Sequence, residues 1–234
     1  MKNKIRIVAE SLLGRCLTEE DGKNISEIES KEKSLGLIFP SALREFYLLV
    51  GDLDIFLSEP STFVEPYMRD GKLVFMEETN FVCYWGVNID DIKNSTVYRY
   101  DIEVDIEWHH TKQTLIDFLT NVMYCVCAER GYKFYSSKSE SDYENKDKYL
   151  EFLANLTIDY KKVVEHDGFV LFQSGGKLIR SFIEEKGSIG DAIYVSARTA
   201  EDMKELETYG FINEYEEMLI IEQQLELEQS NILL

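Results

Sequence analysis

The sequence predicts an α+β protein: a single domain over residues 1–234, in which a central, largely antiparallel sheet of about six strands is flanked by N- and C-terminal helices. Three observations predict this class. Apolar residues recur at helical spacing near both ends of the chain. Runs rich in Val, Phe, Tyr and Trp, typical of strands, lie between them. The chain has 234 residues and is 44% hydrophobic, enough to bury a substantial core.

Helical patterns dominate the first 51 residues. Residues 3–17 carry an apolar stripe that includes Ile5, Val8 and Leu12 and predicts an amphipathic first helix. A second helix is expected to begin at Ser41, a good N-cap, and to end at Gly51. Residues 52–71 contain two prolines and are interpreted as a loop.

The stretch Leu73–Val87 predicts the centre of the sheet. Two apolar runs, 73–76 and 81–87, flank a polar tetrapeptide, as in a pair of sequential antiparallel strands. Their near-continuous hydrophobicity indicates strands that are buried on both faces. Cys83, Tyr84 and Trp85 are therefore expected in the core.

Residues 101–108 show a strict alternation of acidic and apolar side chains. Period two predicts a strand with the acids on one face and the apolar residues on the other. The acidic face is either a solvated outer face, or part of an edge strand that uses charge to block aggregation, or else a docking surface for a basic partner. A metal site is a poor third interpretation, because a strand splays its ligands in a row. The candidate partner-binding residues are these four acids and two from the preceding turn: Asp90, Asp91, Asp101, Glu103, Asp105 and Glu107.

Patterns in the second half of the sequence predict further helices and strands. Thr111 or Thr114 is expected to cap a helix that runs to about residue 129, and a helix is expected over 149–156. Residues 136–148 are polar and predicted to be a flexible surface loop. Strands are expected at 169–173, 177–183 and 193–196, with a turn at Gly175-Gly176. A helix should begin at Thr199 in a capping box with Asp202, and a long acidic helix should cover 212–229.

Composition narrows the classes of function. The 44 acidic and 25 basic residues give a net charge of −19, which repels nucleic acid and anionic lipid and attracts basic partners. No apolar run approaches the ~20 residues that span a bilayer, and the four cysteines have no metal-ligand spacing. The sequence contains no P-loop, dinucleotide fingerprint or protease motif. We therefore expect a cytoplasmic, non-enzymatic binding protein without a metal or cofactor.

Four segments resemble the SUKH superfamily, the domains related to fungal cell-wall-assembly regulators. The family motif E-E-N-Q-x-x-x-x-W-G-[IV] is similar to 77–87, where Thr79 and Asn80 stand in place of the usual Asn and Gln. The other segments are a proline followed by a helix ending at Gly, a tryptophan followed by a helix with Leu-x-x-Phe-Leu, and an A-R-T-x-E turn. They lie at Pro40–Gly51, Trp108–Leu119 and Ala197–Asp202.

This resemblance implies a function that the residues alone do not. Bacterial SUKH proteins are mostly immunity proteins that bind and neutralise toxins, often nucleases, delivered between competing cells. The resemblance therefore implies a cognate toxin domain as the partner, and the net charge of −19 favours a basic one. The fungal relatives imply an alternative, an intracellular regulatory scaffold or adaptor that binds several protein partners.

Overall fold

Two five-stranded antiparallel sheets form the framework of the part of the chain that the structure describes. The structure is a computed structural model and describes residues 3–57, 61–78, 80–90, 95–139, 141, 146–166, 168–183 and 189–212. The chain divides into two compact units, Met1–Val126 and Cys127–Leu234, with one sheet in each. The α+β class and the antiparallel pairing are confirmed, but the strands form two sheets where one sheet of about six strands was expected. Whether the units act as the single expected domain stays a prediction.

The first unit begins with helices and continues with a meander of strands. Its helices are Lys4–Leu13 (α1), Ile25–Leu35 (α2), Ser41–Val50 (α3), Asp54–Leu57 (α4) and Leu115–Val126 (α5), with a 3₁₀ turn at Glu19–Asp21. Its strands are Ser61–Arg69 (β1), Lys72–Glu78 (β2), Cys83–Asn88 (β3), Thr96–Asp101 (β4) and Asp105–Thr114 (β5). Each strand pairs with the next in sequence, so β1 and β5 are the edges.

The core of the first unit lies between α1, α3, α5 and one face of this sheet. Phe46 of α3 meets Phe63 of β1 with ring centroids 4.5 Å apart, and Phe118 of α5 meets Phe75 of β2 at 5.8 Å. Trp85 of β3 also packs against Phe118, at 6.4 Å. The expected central hairpin is confirmed, because β2 pairs antiparallel with β3, and residues 73–76 of β2 are all buried as predicted.

The helix ends follow capping rules, with one correction. Gly14 caps α1 in the left-handed conformation (φ 68°), so the helix ends at Leu13, before the expected end at residue 17. Pro40, and not Ser41, is the N-cap of α3. Thr114 caps α5, since its hydroxyl accepts a hydrogen bond from the backbone N–H of Asp117 at 3.3 Å.

The second unit places two helices on one face of its sheet. Its elements are a π-helical turn at Cys127–Gly131, strands Phe134–Ser139 (β6), Lys161–His166 (β7), Phe169–Ser174 (β8), Lys177–Ile183 (β9) and Ile189–Ala197 (β10), and helices Lys146–Asp159 (α6) and Ala200–Glu207 (α7). The strand order is β6-β10-β9-β8-β7. Phe152 and Leu156 of α6 and Leu206 of α7 are fully buried in one cluster with Ile179 and Ile193 of the sheet.

Two predictions in the second unit are confirmed. Gly175 (φ 58°) makes the tight turn between β8 and β9. The Thr199 hydroxyl accepts a hydrogen bond from the backbone N–H of Asp202 at 3.1 Å, which confirms Thr199 as the N-cap of α7. The final acidic helix predicted over 212–229 lies, beyond Ile212, outside the described residues.

The prediction of a flexible surface loop at 136–148 is wrong at both ends. Residues 136–139 belong to β6, which pairs with β10, and 146–148 open α6; residues 140 and 142–145 lie outside the described part. Polar composition misled the prediction, because a serine-rich strand can satisfy its backbone in the ladder. Ser136 is buried there, paired with Val195.

The Asp21 carboxylate is a hydrogen-bond acceptor in the segment between α1 and α2. Its carboxylate accepts hydrogen bonds from both terminal nitrogens of Arg15 (2.7 and 2.6 Å) and from the backbone N–H of Thr18 (2.7 Å). The hydrogen bonds from Arg15, together with those from Thr18, lower the pKa of Asp21 well below its ordinary value. The carboxylate is therefore the form that the fold stabilises.

Asp21→Asn is expected to lower the free energy of unfolding at pH 7 by about 1–3 kcal/mol, because the charged hydrogen bonds are lost. Since the folded pKa is lowered, the stabilisation is present above the ordinary carboxyl pKa of about 4 and is lost as pH falls towards the folded value. Urea denaturation should therefore give a smaller difference between the two proteins at pH 3 than at pH 7. An equal difference at both pH values would contradict the assignment.

Candidate protein-binding surface

The acidic segment 101–107 forms a hairpin and not the continuous strand predicted from its alternation. β4 ends at Asp101, residues 102–104 form the turn, and β5 begins at Asp105. The Asp101 carboxylate accepts a hydrogen bond from the backbone N–H of Glu103 at 3.2 Å, the aspartate turn that reverses the chain. In a straight strand, four acids on one face would repel one another, and the turn avoids this arrangement.

The turn exposes the apolar side chains that the alternation had placed in the core. Ile102 is 45% exposed, Val104 80% and Ile106 75%. Of the four alternating apolar residues, Trp108 is the one that packs as predicted, with its ring 5.3 Å from that of Tyr100. The hairpin therefore presents aliphatic side chains to solvent between its acids.

Asp101, the first acid of the hairpin, is paired within the protein. Its carboxylate lies 2.8 Å from Nη2 of Arg99, which also donates a hydrogen bond to Sγ of Cys83 at 3.1 Å. Desolvation alone would raise the pKa of Asp101, but hydrogen bonds from Cys83 and the backbone and the charge of Arg99 outweigh it and lower that pKa. Asp101 therefore positions the turn more than it offers charge to a partner.

Glu103 and Glu107 are the exposed acids of the hairpin. Among the described residues, no ion pair involves either carboxylate, and both residues are exposed. Asp105 is placed by its backbone, which pairs with Asp101. The prediction of an acidic surface thus holds for part of the segment, with a geometry that the sequence did not predict.

Asp90, another of the candidate acids, does not join this surface. Asp90 is exposed but follows the C-terminal end of β3, whereas the hairpin lies at the N-terminal end, where Cys83 pairs with Asp101. The length of β3, about 17 Å, separates these ends. The grouping of Asp90 with the hairpin is therefore wrong, because antiparallel strands place successive turns at opposite ends of a sheet. Asp91 lies outside the described residues.

Phe81 extends the exposed apolar set. It was predicted to start a buried strand, but it lies in the β2–β3 connection with φ 59° and is 63% exposed. The backbone N–H of Ile102 donates to the carbonyl of Val82 at 2.9 Å, which brings this connection to the same end of the sheet as the hairpin. We define the tip surface as Phe81, Ile102, Glu103, Val104, Ile106 and Glu107.

An aromatic layer on the sheet face away from α3 and α5 holds the hairpin in place. Trp108 of β5 lies over Gly86 of β3, where a Cβ would come within 3.1 Å of the Trp108 ring. The guanidinium of Arg69 stacks over Tyr84 and Tyr100, 4.1 and 4.7 Å from the ring centroids. Sequence reasoning missed this layer, although the tryptophan-glycine pair in β3 was a visible signal.

A cleft of ≈ 400 Å³ between α2, α3 and β1 is the other candidate in the first unit. Two lysines that line the cleft form ion pairs. Nζ of Lys31 lies 2.7 Å from a carboxylate oxygen of Glu65, and Nζ of Lys23 lies 2.7 Å from one of Asp52. The cleft therefore offers little net charge to a ligand, whereas the tip surface combines exposed apolar area with unneutralised acids.

No group of three or more His, Cys, Asp or Glu side chains in the described residues is arranged to hold a metal ion. No helix in the same residues combines the length and the apolar character needed to cross a bilayer.

Comparisons of the chain with protein-family models, with curated proteins and with solved structures found no match. The tip surface is therefore interpreted from its own geometry.

Proposed function

We propose that this protein is a cytoplasmic immunity protein that binds and neutralises a cationic toxin domain without catalysis, and that the tip surface makes the contact. One observation carries the proposal. Four exposed apolar side chains and two unneutralised carboxylates share one end of the first sheet. Protein interfaces commonly combine an apolar centre with a polar rim, and the tip surface has both parts.

The overall charge supports a basic partner. A net charge of −19 steers cations towards the protein and can raise association rates by 10- to 1,000-fold at low ionic strength. In the complex, the apolar side chains of the tip surface then slow dissociation of the partner, because their burial removes apolar area from water. A partner that is both cationic and partly apolar fits this surface best.

Two arguments support a toxin domain as the partner: the charge of the cleft that such a domain would present, and the family resemblance. A nuclease cleft is built to receive polyanions, so an acidic protein surface can occupy it and exclude the substrate. The resemblance of the four sequence segments to SUKH domains supports immunity as the biological role.

Co-purification tests this proposal. The protein is expressed together with each cationic toxin domain that a neighbouring gene is found to encode, and any complex is analysed by size-exclusion chromatography with light scattering. We expect a stoichiometric complex in which toxin activity is abolished. Absence of a complex with an active, folded toxin domain would overturn the proposal, and recovery of many substoichiometric host proteins would favour the scaffold alternative.

A further inference from the structure

We propose that the second unit binds a free amino acid with an aromatic side chain, and that the ion pair between Arg180 and Glu129 receives the two charged groups of this ligand. The ligand site goes beyond the proposed function and does not depend on it. It lies on the face of the second sheet away from α6 and α7, where a small pocket adjoins exposed aromatic rings.

Strand register places Arg180 at the centre of this face. Ile179 and Ile193 belong to the buried cluster under α6 and α7, so alternation turns their neighbours Arg180 and Tyr194 to the opposite face. Arg180 of β9 pairs with Tyr194 of β10, which pairs in turn with Ser137 of β6. These three residues therefore form one row across the sheet.

The π-helical turn Cys127–Gly131 forms one wall of a pocket on this face. The Ser196 hydroxyl donates a hydrogen bond to the carbonyl of Cys127 at 3.3 Å, which fixes the turn over the sheet. Glu129 of the turn forms an ion pair with Arg180. The space beside this pair, here named the Arg180 pocket, measures ≈ 340 Å³, at the small end of the range of roughly 300–1,000 Å³ for small-molecule sites. It therefore suits a ligand the size of an amino acid.

Aromatic rings surround the guanidinium of Arg180. It lies 5.8, 5.5 and 5.6 Å from the ring centroids of Phe169, Phe182 and Tyr194. Phe182 is 45% exposed and Tyr194 39%, and their two rings lie 6.2 Å apart and nearly perpendicular. Tyr135 of β6 contributes another ring to the wall of the Arg180 pocket. An aromatic ligand side chain can pack edge-to-face on these rings and remove part of their area from water.

The ion pair defines the charged groups of the ligand. The side chains of Arg180 and Glu129 are 21% and 29% exposed, so each charge is largely withdrawn from water and needs a partner. An anion alone would bind Arg180 and leave the carboxylate of Glu129 unpaired, and a cation alone would leave Arg180 unpaired. A zwitterion supplies a carboxylate to Arg180 and an ammonium to Glu129 together. The two charged groups of an α-amino acid are attached to one carbon, close enough to meet two side chains that are themselves in contact.

The charge of the whole protein also favours a zwitterion over an anion. A net charge of −19 repels anionic ligands and attracts cationic ones, whereas a zwitterion with no net charge is neither repelled nor attracted at long range. Selection against cations has to come from the Arg180 pocket itself. There, the guanidinium repels an ammonium that brings no carboxylate.

Titration of the isotope-labelled, full-length protein with L-phenylalanine, followed by two-dimensional NMR, tests the proposal. The controls are N-acetyl-L-phenylalanine, which lacks the ammonium, L-phenylalaninamide, which lacks the carboxylate, and L-alanine, which lacks the ring. We expect saturable shifts of the amides of residues 128–137, 180 and 194, and an affinity for L-phenylalanine about tenfold above that for either charge-blocked analogue. L-alanine should bind more weakly than L-phenylalanine. Absence of saturable shifts, or equal affinity for L-phenylalanine and any control, would overturn the proposal.

Glu129→Gln removes one charge of the pair and keeps the size of the side chain. We expect the variant to bind L-phenylalanine about tenfold more weakly, because the ammonium loses its carboxylate partner. It should also bind N-acetyl-L-phenylalanine more tightly than the wild type does, because the Arg180 guanidinium is no longer paired with Glu129. Unchanged affinity for both ligands would overturn the proposal.

Glu205→Gln is the matched control. It makes the same substitution in the ion pair with Lys177, on the opposite face of the same sheet, and should leave both affinities unchanged. Equal losses of L-phenylalanine affinity in the two variants would overturn the assignment of the ligand to the Arg180 pocket. If Glu129→Gln does not fold, the titrations of the wild-type protein decide, because they need no substitution.

Discussion

Glu103→Lys and, separately, Glu107→Lys are each expected to slow association with a cationic toxin domain by about tenfold at low ionic strength. Both carboxylates are exposed on the tip surface and lack a described ion-pair partner, so reversal replaces an attractive charge at the contact with a repulsive one. Stopped-flow or surface plasmon resonance measurements from about 20 to 300 mM salt should also show a weaker salt dependence in both variants.

Asp90→Lys is the matched control for this prediction. It makes the same change in net charge at an exposed position on the opposite end of the first sheet. Long-range steering would be reduced equally in all three variants, whereas local contact should be lost only at the hairpin. An Asp90→Lys effect as large as those of the hairpin variants would show that the tip surface is not where the partner binds.

Phe75→Ala is expected to lower the free energy of unfolding by about 3–5 kcal/mol. The Phe75 ring is fully buried between α5 and the sheet, 5.8 Å from Phe118 and 6.4 Å from Phe63. Its removal leaves a cavity that the surrounding side chains, Phe63 and Phe118 among them, can fill only in part. Urea denaturation followed by fluorescence and circular dichroism measures the change.

Phe81→Ala provides the matched substitution outside the core. Because the Phe81 side chain is 63% exposed, the free energy of unfolding should change by less than about 0.5 kcal/mol, while partner dissociation should become faster. A destabilisation comparable to that of Phe75→Ala would mean that Phe81 belongs to the packing of the fold and not to the binding surface.

Elements whose sequence pattern matches their local physics could be predicted. The apolar run 73–76 is buried, Thr114 and Thr199 cap helices, and Gly175 makes a hairpin turn. In each case, a single local property, such as hydrophobicity, a capping hydroxyl or left-handed backbone freedom, determines the outcome.

Other elements depend on long-range pairing that composition conceals. Residues 136–139 look like a polar loop, but hydrogen bonds to β10 make them a strand. The proline-containing stretch 52–71 was interpreted as a loop, whereas most of its second half is β1, an edge strand that tolerates Pro66. The division of the strands into two sheets likewise depends on contacts distant in sequence.

The candidate site was predicted in composition but not in shape. Period two in 101–108 suggested a strand with an apolar buried face, yet the aspartate turn at Asp101 converts it into a hairpin with exposed Val104 and Ile106. Alternation is a weak signal when every polar position is acidic, because the repulsion that a straight strand would create favours a turn. The contribution of Phe81 could not be found without knowing which turns share an end of the sheet.

Hydrogen exchange of the complex with the cationic toxin domain tests the central proposal most directly. The account predicts that bound toxin slows exchange of the amides in residues 80–83 and 101–107, at one end of the first sheet, and leaves the amide of Asp90 unchanged. Protection confined to the opposite end of that sheet or to the second unit, with residues 80–83 and 101–107 exchanging as in the free protein, would contradict it.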